Sequence, residues 1–434
     1  MQGEASSTII DYALRNAIKP LNSYINNDID AGVPSILDEF PAASLEPLTL
    51  YDFRYGEFDS KNDGNAQWVA DKDLYRWRND NRTSSTVNYL IDVNKDSSGN
   101  VVSENKYGYN WEEKNDKGEV VRQGIEIYAL PDSLTFSMMF YREDVIESLN
   151  LDIPKTWDEM LAILPVLQFN NMEIGIQNDA YTFIYQNGYE AYANNGMQIN
   201  FDDAGVTSSF KQMCNYYTEY SLPYTYDFAN RFRTGEMPIG IAPYTTCNQL
   251  SVFASELSGL WTFVPIPGQD GGNANAVATV TGCVMIDNSK KGEPDQDKKD
   301  LAAWQFMKWY TGNEFQSDYA NEIVSILGVA ARPATANREA LVSLPWNNEE
   351  LKAIEEQFNK LTAVQNHPGS YYLARYVNFA FLAAYNDGED AANALAGYAT
   401  DVNKEITRRR EEFGMMTFDT YKEKNPDLVL TPKR

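Results

Sequence analysis

The chain has 434 residues, with 36 Lys plus Arg against 62 Asp plus Glu, and its formal charge is −26. Hydrophobic residues make up 43% and aromatics 13%, enough for large cores, which excludes wholesale disorder. The length corresponds to two or three domain-sized units. A surface this acidic repels phosphate backbones, which argues against nucleic-acid partners and attachment to anionic lipid.

His367 is the single histidine. That removes His-rich metal sites and leaves one imidazole to serve any Ser-His-Asp or Cys-His relay. Chemistry based on carboxylates alone stays open. Cys214, Cys247 and Cys283 form no CxxC pair, so a zinc ribbon and a thioredoxin-like motif are out, and three buried free thiols are expected. The opening MQGEASSTII has neither a basic n-region nor an apolar h-region, and no stretch approaches eighteen apolar residues.

In chain order, Ile9, Leu14, Ile18, Leu21 and Ile25 predict one amphipathic helix over 8–26. A strand is expected at 48–55, then a polar, aromatic-rich run over 60–86 with Trp68, Tyr75 and Trp77. A meander follows, with strands at 87–93 and 101–104 around the turn 94–100, and at 107–112 and 120–128 around the turn 115–118. Both turns carry the Asn/Asp/Gly chemistry that reverses a chain. Asp92, Asn94 and Asp96 give the first turn a superficial likeness to a calcium loop. Ser97 and Ser103 occupy the places where an EF-hand needs Gly and Glu, so a solvated hairpin is the better reading.

From Tyr128 the pattern alternates helices with short apolar strands, the signature of an α/β fold. Helices are expected over 144–149, from 156 with Thr156 and Glu159 as a capping box, and over 181–189, 201–220, 301–310 and 313–323. On the 201–220 helix Phe210, Met213, Cys214 and Tyr217 share a face. Strands are expected at 172–176, 238–242, 260–265 and 276–286, a charged loop at 288–300, and almost continuous helix from 351 to 414.

The sequence contains no nucleophile elbow, P-loop, dinucleotide fingerprint or HExxH. The carboxylate pairs Glu143/Asp144, Asp158/Glu159, Glu355/Glu356 and Glu411/Glu412 lie in highly charged helical stretches, where a solvated face explains them. Aromatic rings next to small polar residues are the more informative feature. Tyr244-Thr245-Thr246-Cys247-Asn248 follows the apolar strand 238–242, the end of an α/β sheet where ligands bind. Aromatic faces stack on the CH faces of sugars, and amides and hydroxyls fix sugar hydroxyls. The alternative is that Tyr244 packs a helix onto the sheet. Tyr181 invites the same two readings, as does the pair Tyr371-Tyr372 with Arg375 and Asn378. Trp304 and Trp309 read as core.

The run 129–168, ALPDSLTFSMMFYREDVIESLNLDIPKTWDEMLAILPVLQ, resembles the extracellular solute-binding proteins of carbohydrate ABC importers, the maltose-binding-protein-like family. Three further segments are similar to that family: FRTGEMPIGI at 232–241, Leu260-Trp261 leading to Pro265-Ile266-Pro267-Gly268, and AWQFMKW at 303–309. All four stand in the family's order. Residues 1 to about 120 do not show the family's opening strand–helix–strand unit, so a remodelled or incomplete first lobe is expected.

The resemblance implies a two-lobed, type II periplasmic-binding-protein-like α/β fold with hinge-crossing segments and a β-meander elaboration near the N-terminus. The lobes would be 1–133 with 281–345, and 136–279 with 346–414, followed by a tail at 415–434. It places Ser133, Thr135 and Thr281 on crossing segments facing a cleft, and Tyr181 and Tyr244 at stacking positions with Thr245 and Asn248 beside Tyr244. Tyr372 and Arg375 would line the cleft from the C-terminal helices. Arg332 is a further candidate, for which a structural ion pair is an equal explanation.

The implied activity is non-catalytic binding of a carbohydrate, an oligosaccharide in preference, and its delivery to ABC permease transmembrane subunits. No metal or other cofactor is expected. The protein would be a monomer outside the cell, tethered through a lipidated N-terminus that lies beyond this sequence. Two other readings stay open: a secreted glycan-active enzyme using a carboxylate pair, and a carbohydrate-adhesion module without transport.

Overall fold

Pro20 lacks an N–H and cannot continue a helix, and the chain departs from the helical spacing around it. A computed structural model describes residues 4–51, 66–71, 87–95, 101–107, 112–114, 120–123, 125–193, 196–288, 294–415 and 417–419. The first helix, Ser6–Leu14, gives way to Asn16 in the left-handed region at φ 53°. The backbone then turns to neighbouring strands: Ile18 bridges Ile286, Lys19 N–H donates to Met285 O, and Leu21 N–H donates to Ile127 O. A second helix follows at Asn22–Asp30. Ile9, Ile18, Leu21 and Ile25 are all buried, so the apolar spacing marks burial here and not one continuous helix.

Two sheets organise the chain. The first is antiparallel, in the order Glu4–Ala5, Thr279–Val284, Ala129–Thr135. The second runs Ile174–Gly175, Ile239–Pro243, Ser137–Arg142, Trp261–Val264. Only Phe136 separates Ala129–Thr135 in the first sheet from Ser137–Arg142 in the second, so the chain passes directly between them. Met138, Met139 and Phe140 at the start of the second sheet are completely buried. Gly240 sits where the Phe228 ring presses against the sheet; a Cβ there would meet the ring at 2.1 Å. A short parallel pair, Ala276–Val277 with Leu361–Thr362, adds a further link beside the first crossing.

Helices cover the second sheet. Trp157–Phe169 opens with the expected capping box: Glu159 N–H donates to Thr156 Oγ1 at 3.1 Å, and the Glu159 carboxylate accepts from Thr156 N–H at 3.3 Å. Ala204–Thr218 buries Phe210, Met213, Cys214 and Tyr217, the face predicted for it. The long C-terminal helices Leu373–Asp387 and Ala391–Glu412 pack on it. No described helix is long and apolar enough to cross a membrane.

Towards the N-terminus, Ala66–Asp71, Val87–Lys95 and Val101–Tyr107 form an antiparallel three-stranded sheet, and Glu112–Lys114 pairs with Val120–Gln123. The meander is therefore present, with Tyr107 closing one strand and Glu112 opening the next. Asp92 and Asn94 lie within the strand Val87–Lys95; Asp96, the rest of that turn, residues 52–55, Tyr75, Trp77 and the tail beyond 419 lie outside the described residues. Among the described residues, no group of three metal-ligating side chains occurs.

Three other expectations are corrected. The charged stretch 288–300 is not all loop, because the helix Gln296–Thr311 starts within it. Its charges are matched locally: Lys298 bonds Asp295 at 2.8 Å, and the buried Asp300 takes both Gln296 and the distant Lys19. The helical tail is interrupted between Phe358 and Leu373, where Leu361–Thr362 forms its parallel pair and Gly369 adopts φ 92°. Trp304 is core, 1% exposed, whereas Trp309 is 53% exposed. Its ring lies tilted against Phe306 and Phe315 on the helix surface. A helical spacing of five puts the two tryptophans on different faces.

Candidate functional site

The two strands that link the sheets meet face to face. Thr279 pairs with Thr135 and Thr281 with Ser133, and the register shifts between Thr281 and Gly282. Beyond the shift, a Cβ on Gly282 would meet the Ala129 Cβ at 2.9 Å, closer than side chains approach, and would press on Ile9. The Thr281 hydroxyl donates to the Asp132 carboxylate, which leaves its oxygen to accept from Ser133 Oγ at 2.6 Å. Ser133, Thr135 and Thr281 are all partly exposed. Three of the predicted residues thus share one hydroxyl-lined edge, where a buried carboxylate holds two of the hydroxyls in orientation.

A second group gathers around Tyr181, at the start of the helix Ala180–Gln186. Asp179 caps this helix through the backbone N–H groups of Tyr181 and Thr182. Gln186, near its other end, accepts from the Trp157 indole at 2.7 Å and donates to Pro267 O and Asn275 O. Tyr185, Glu190 and Tyr192 follow. The Tyr192 hydroxyl shares a hydrogen bond of 2.7 Å with Ser370 Oγ, and its ring meets His367 edge-on at 4.6 Å. Asn366, next to His367, donates to Pro47 O at 3.0 Å. This brings Glu46, fully buried at the start of a short 3-10 turn, to the same place.

Electrostatics there are unusual for a surface. Burial and the neighbouring Glu46 push the Glu190 carboxyl up to about 8. Burial, then Glu190, Tyr181, Tyr192 and Glu46, hold the Tyr185 phenol well above its ordinary value. Burial drives His367 down to about 3, assisted by Arg410, so its imidazole is neutral. Neither Tyr181 Oη, Tyr185 Oη nor the Glu190 carboxylate has a protein hydrogen-bond or ion-pair partner among the described residues, and none of them is a buried unsatisfied atom, so solvent reaches these groups although the Tyr185 ring is buried.

The third group is structural. Tyr244, read from the sequence as a stacking platform or a packing ring, is 1% exposed. Its ring lies against Phe136 and Trp346, and its hydroxyl donates to Leu134 O at 3.1 Å. It therefore packs the crossing strand and offers no open face. Arg332 stacks on Trp346 at 4.1 Å, donates to Asn248 Oδ1 and Val329 O, and approaches Glu350 at 3.8 Å; Asn248 donates back to Arg332 O. Thr245 lies half-buried ahead of the helix Thr246–Phe253. These contacts clasp the 246–253 helix to the 329–332 turn.

Tyr372 stacks on Tyr376, two residues beyond the Ser370 that touches Tyr192, and Arg375 is exposed with its guanidinium over Phe379. All three cysteines are free and buried, with burial raising each thiol to about 11 or 12.

If Tyr244 acts through packing, Tyr244→Phe is expected to cost about 1 kcal/mol, one hydrogen bond, and Tyr244→Ala about 3–5 kcal/mol for the cavity. Denaturant unfolding of both variants checks this, and equal losses would contradict it.

Sequence reasoning missed Glu46, Tyr185, Glu190, Tyr192 and His367. Their signal is present: Glu46 is a lone acid in the apolar run Ser44-Leu45-Glu46-Pro47-Leu48, and Glu190 alternates with rings in Tyr189-Glu190-Ala191-Tyr192.

Several solved structures share this architecture. An ABC substrate-binding protein from Listeria monocytogenes, in complex with cycloalternan, matches with a TM-score of 0.58 at 16% identity, covering 92% of this chain and 83% of that one. The sugar-binding protein MalE from Xanthomonas citri matches with a TM-score of 0.55 at 17% identity, covering 66% and 73%. An ABC transporter solute-binding protein from Thermotoga lettingae, bound with α-D-tagatose, gives 0.52 at 17%, covering 65% and 73%. At these identities the likeness establishes the fold, a two-lobed α/β binding-protein architecture. No curated protein sequence matches the chain. Residues 64–353, more than half of the length, match the sequence model of the bacterial extracellular solute-binding proteins, and the chain belongs to that family.

Proposed function

We propose that the protein is the extracellular substrate-binding component of an ABC importer, taking a carbohydrate, and preferentially an oligosaccharide, in a cleft between its lobes. The observation that carries this reading is the hydroxyl-lined edge of the crossing strands, where Ser133 and Thr281 are held by the Asp132 carboxylate, and a second polar group, Tyr181, Tyr185 and Glu190, lies on and just after the helix Ala180–Gln186. A sugar buries many hydroxyls, each of which needs a partner. The architecture shared with sugar-complexed transport proteins supports the same class.

The lobes are assigned as 1–133 with 281–345, and 136–279 with 346–414. The step from one sheet to the other at Phe136 supports this division. So does the anchoring of the helix Asn348–Phe358 to the second sheet, where Gln357 accepts from Ile266 N–H at 2.9 Å. Contacts made only in the closed form would shift the hinge equilibrium, and the permease would read that closed state. The chain acts as a monomer without catalysis, held at the membrane by a lipidated N-terminus.

A thermal-shift screen of the purified protein against mono- and oligosaccharides, with amino acids and peptides as controls, tests the class. A hundredfold excess of ligand over Kd adds about 2.7 kcal/mol. The expected result is a raised midpoint with a sugar that is recovered intact, together with a smaller radius of gyration by small-angle scattering. A shift only with amino acids or peptides, or a sugar recovered cleaved, would overturn the reading.

A further inference from the structure

Ser133 and Thr281 stand opposite each other on the two crossing strands, so their side chains rise from one face of the sheet and meet. Ser133 Oγ and Thr281 Oγ1 lie 2.6 Å apart, and the distance alone does not say which hydroxyl donates. Asp132 removes that freedom. Its carboxylate accepts from Thr281 Oγ1, and a carboxylate offers lone pairs and no proton. A threonine hydroxyl carries a single proton. Aimed at Ser133, that proton would leave the Thr281 and Asp132 oxygens facing each other lone pair to lone pair at bonding distance. The Thr281 proton therefore lies on the line to Asp132, and the Ser133 proton lies on the line to Thr281.

The direction of this chain of bonds decides what the edge can hold. Ser133 is partly exposed, and among the described residues Thr281 is the one side chain its hydroxyl bonds. With its proton committed, Ser133 turns only lone pairs outward. Thr281, also partly exposed, has given its proton and taken that of Ser133, and it too presents only acceptor capacity. Thr135, two residues further along the same strand, differs. Its partly exposed hydroxyl bonds no described side chain and turns to suit a donor or an acceptor. Asp132 is 8% exposed, so water has little access to replace Thr281 at the buried end of the chain.

We propose that Asp132 and Thr281 are positioning residues that make Ser133 an obligate hydrogen-bond acceptor, so that the sugar is selected there for a free hydroxyl, which donates. Groups that only accept are rejected: a glycosidic or ether oxygen, an O-methyl group, a carboxylate. This rests on the carbohydrate reading above and adds to it which chemical group the crossing strands recognise. A hydroxyl in that place leaves every partner satisfied, whereas an acceptor sets two oxygens lone pair to lone pair. The carboxylate behind the chain strengthens the bias, because it polarises the two hydroxyls towards itself and repels an acidic sugar. A site built to bond a hydroxyl rejects the analogue lacking it far more strongly than an apolar pocket rejects a changed methylene.

Neutron diffraction from deuterium-exchanged crystals of the full chain tests the relay without any sugar. Deuterons are expected between Thr281 Oγ1 and Asp132 Oδ1, and on Ser133 pointing to Thr281. A Ser133 deuteron turned outward, or a Thr281 deuteron aimed at Ser133, overturns the assignment. The selection is tested by calorimetry with mono- and trisaccharides of glucose, galactose, mannose and xylose. The tightest binder is compared with its monodeoxy and monodeoxyfluoro analogues, one hydroxyl at a time. Fluorine cannot donate, so at the hydroxyl held by Ser133 both analogues should bind about tenfold or more weaker than the parent and within about twofold of each other. Ser133→Ala identifies that hydroxyl: the parent should fall to the affinity of its deoxy analogue, and the two losses should not add. Thr281→Val matches the shape and frees the Ser133 proton, so the fluoro analogue should gain about threefold over the deoxy one, a ratio that mere loosening of the strand would not move. Thermal midpoints show that each variant keeps its fold. A fluoro analogue that binds as tightly as the parent there, or a Ser133→Ala chain with unchanged affinity, overturns the selection and leaves the carbohydrate reading standing. If none of the sugars binds, the carbohydrate reading falls and the selection with it, while the deuteron positions still decide the relay.

Discussion

Gln186→Leu should be among the most damaging single substitutions in the chain, costing about 3–6 kcal/mol of stability. Gln186 is 3% exposed and makes three hydrogen bonds to three separate segments. Its carbonyl oxygen accepts from the Trp157 indole, and its amide donates to Pro267 O and Asn275 O. Leucine matches its volume, so little of the loss would come from a cavity. What remains is a buried indole N–H and two carbonyls without partners, each costing about 1–3 kcal/mol. The residue also couples the Trp157–Phe169 helix to the chain that returns towards the crossing strand Thr279–Val284, so the loss should extend to the site. Guanidinium unfolding followed by tryptophan fluorescence measures it. In the double variant with Trp157→Phe the indole partner is gone, and the combined loss should be less than the sum of the single losses. A loss under 1 kcal/mol for Gln186→Leu would mean that the three bonds are not made together.

The second large effect is a stability maximum on the acid side of neutrality. Glu190 has a folded value of about 8 against the ordinary 4.5. Between those values the folded state holds a proton that the unfolded chain has lost, so stability falls as pH rises through this window. His367 behaves in the opposite way. Its folded value of about 3 lies below the ordinary 6.5, so between them the unfolded chain holds the extra proton and stability rises with pH. Where the windows overlap, from about pH 4.5 to 6.5, the two slopes offset each other. Below that range His367 dominates, joined by Glu405, whose carboxyl is held down to about 2 chiefly by Arg408. From pH 6.5 to 8 Glu190 sets the falling slope, in the same direction as Asp179, whose carboxyl burial also raises. Partial exposure of Glu190 reduces its share to about 1–3 kcal/mol. Denaturant midpoints measured from pH 3 to 9 should therefore form a plateau with a decline on each side. Glu190→Gln should flatten the decline above pH 6.5 and leave the acid side unchanged. A wild-type profile that keeps rising to pH 8 would be incompatible with a sheltered Glu190.

Elements whose cause is local were legible in the sequence. The Thr156 capping box, the Ala204–Thr218 helix with its buried Phe210 and Tyr217, and the central strand Ile239–Pro243 all appear where residue order dictates. In each, the determining interactions lie within a few residues along the chain. The crossing residues Ser133, Thr135 and Thr281 were also reachable, because the motif run from Ala129 carries the first two and the apolar strand from Ala276 carries the third.

Non-local interactions decided the rest. Residues 17–21 leave the helical path because strand edges at Ile127 and Met285 bond them, and nothing near Pro20 in sequence identifies those partners. Tyr244 became a core ring because Trp346 and Phe136, distant in sequence, close over it. The sheltered Glu190 arises only where the Tyr192, His367 and Glu46 segments converge, three stretches whose nearness no spacing encodes. By itself the sequence determined the acidic surface, the α/β alternation, the local caps and the hydroxyl-bearing strands, since these follow from composition and short-range geometry. The tertiary structure alone decided which rings are open and which carboxylate is sheltered from water, because burial and desolvation depend on every segment that shares the space.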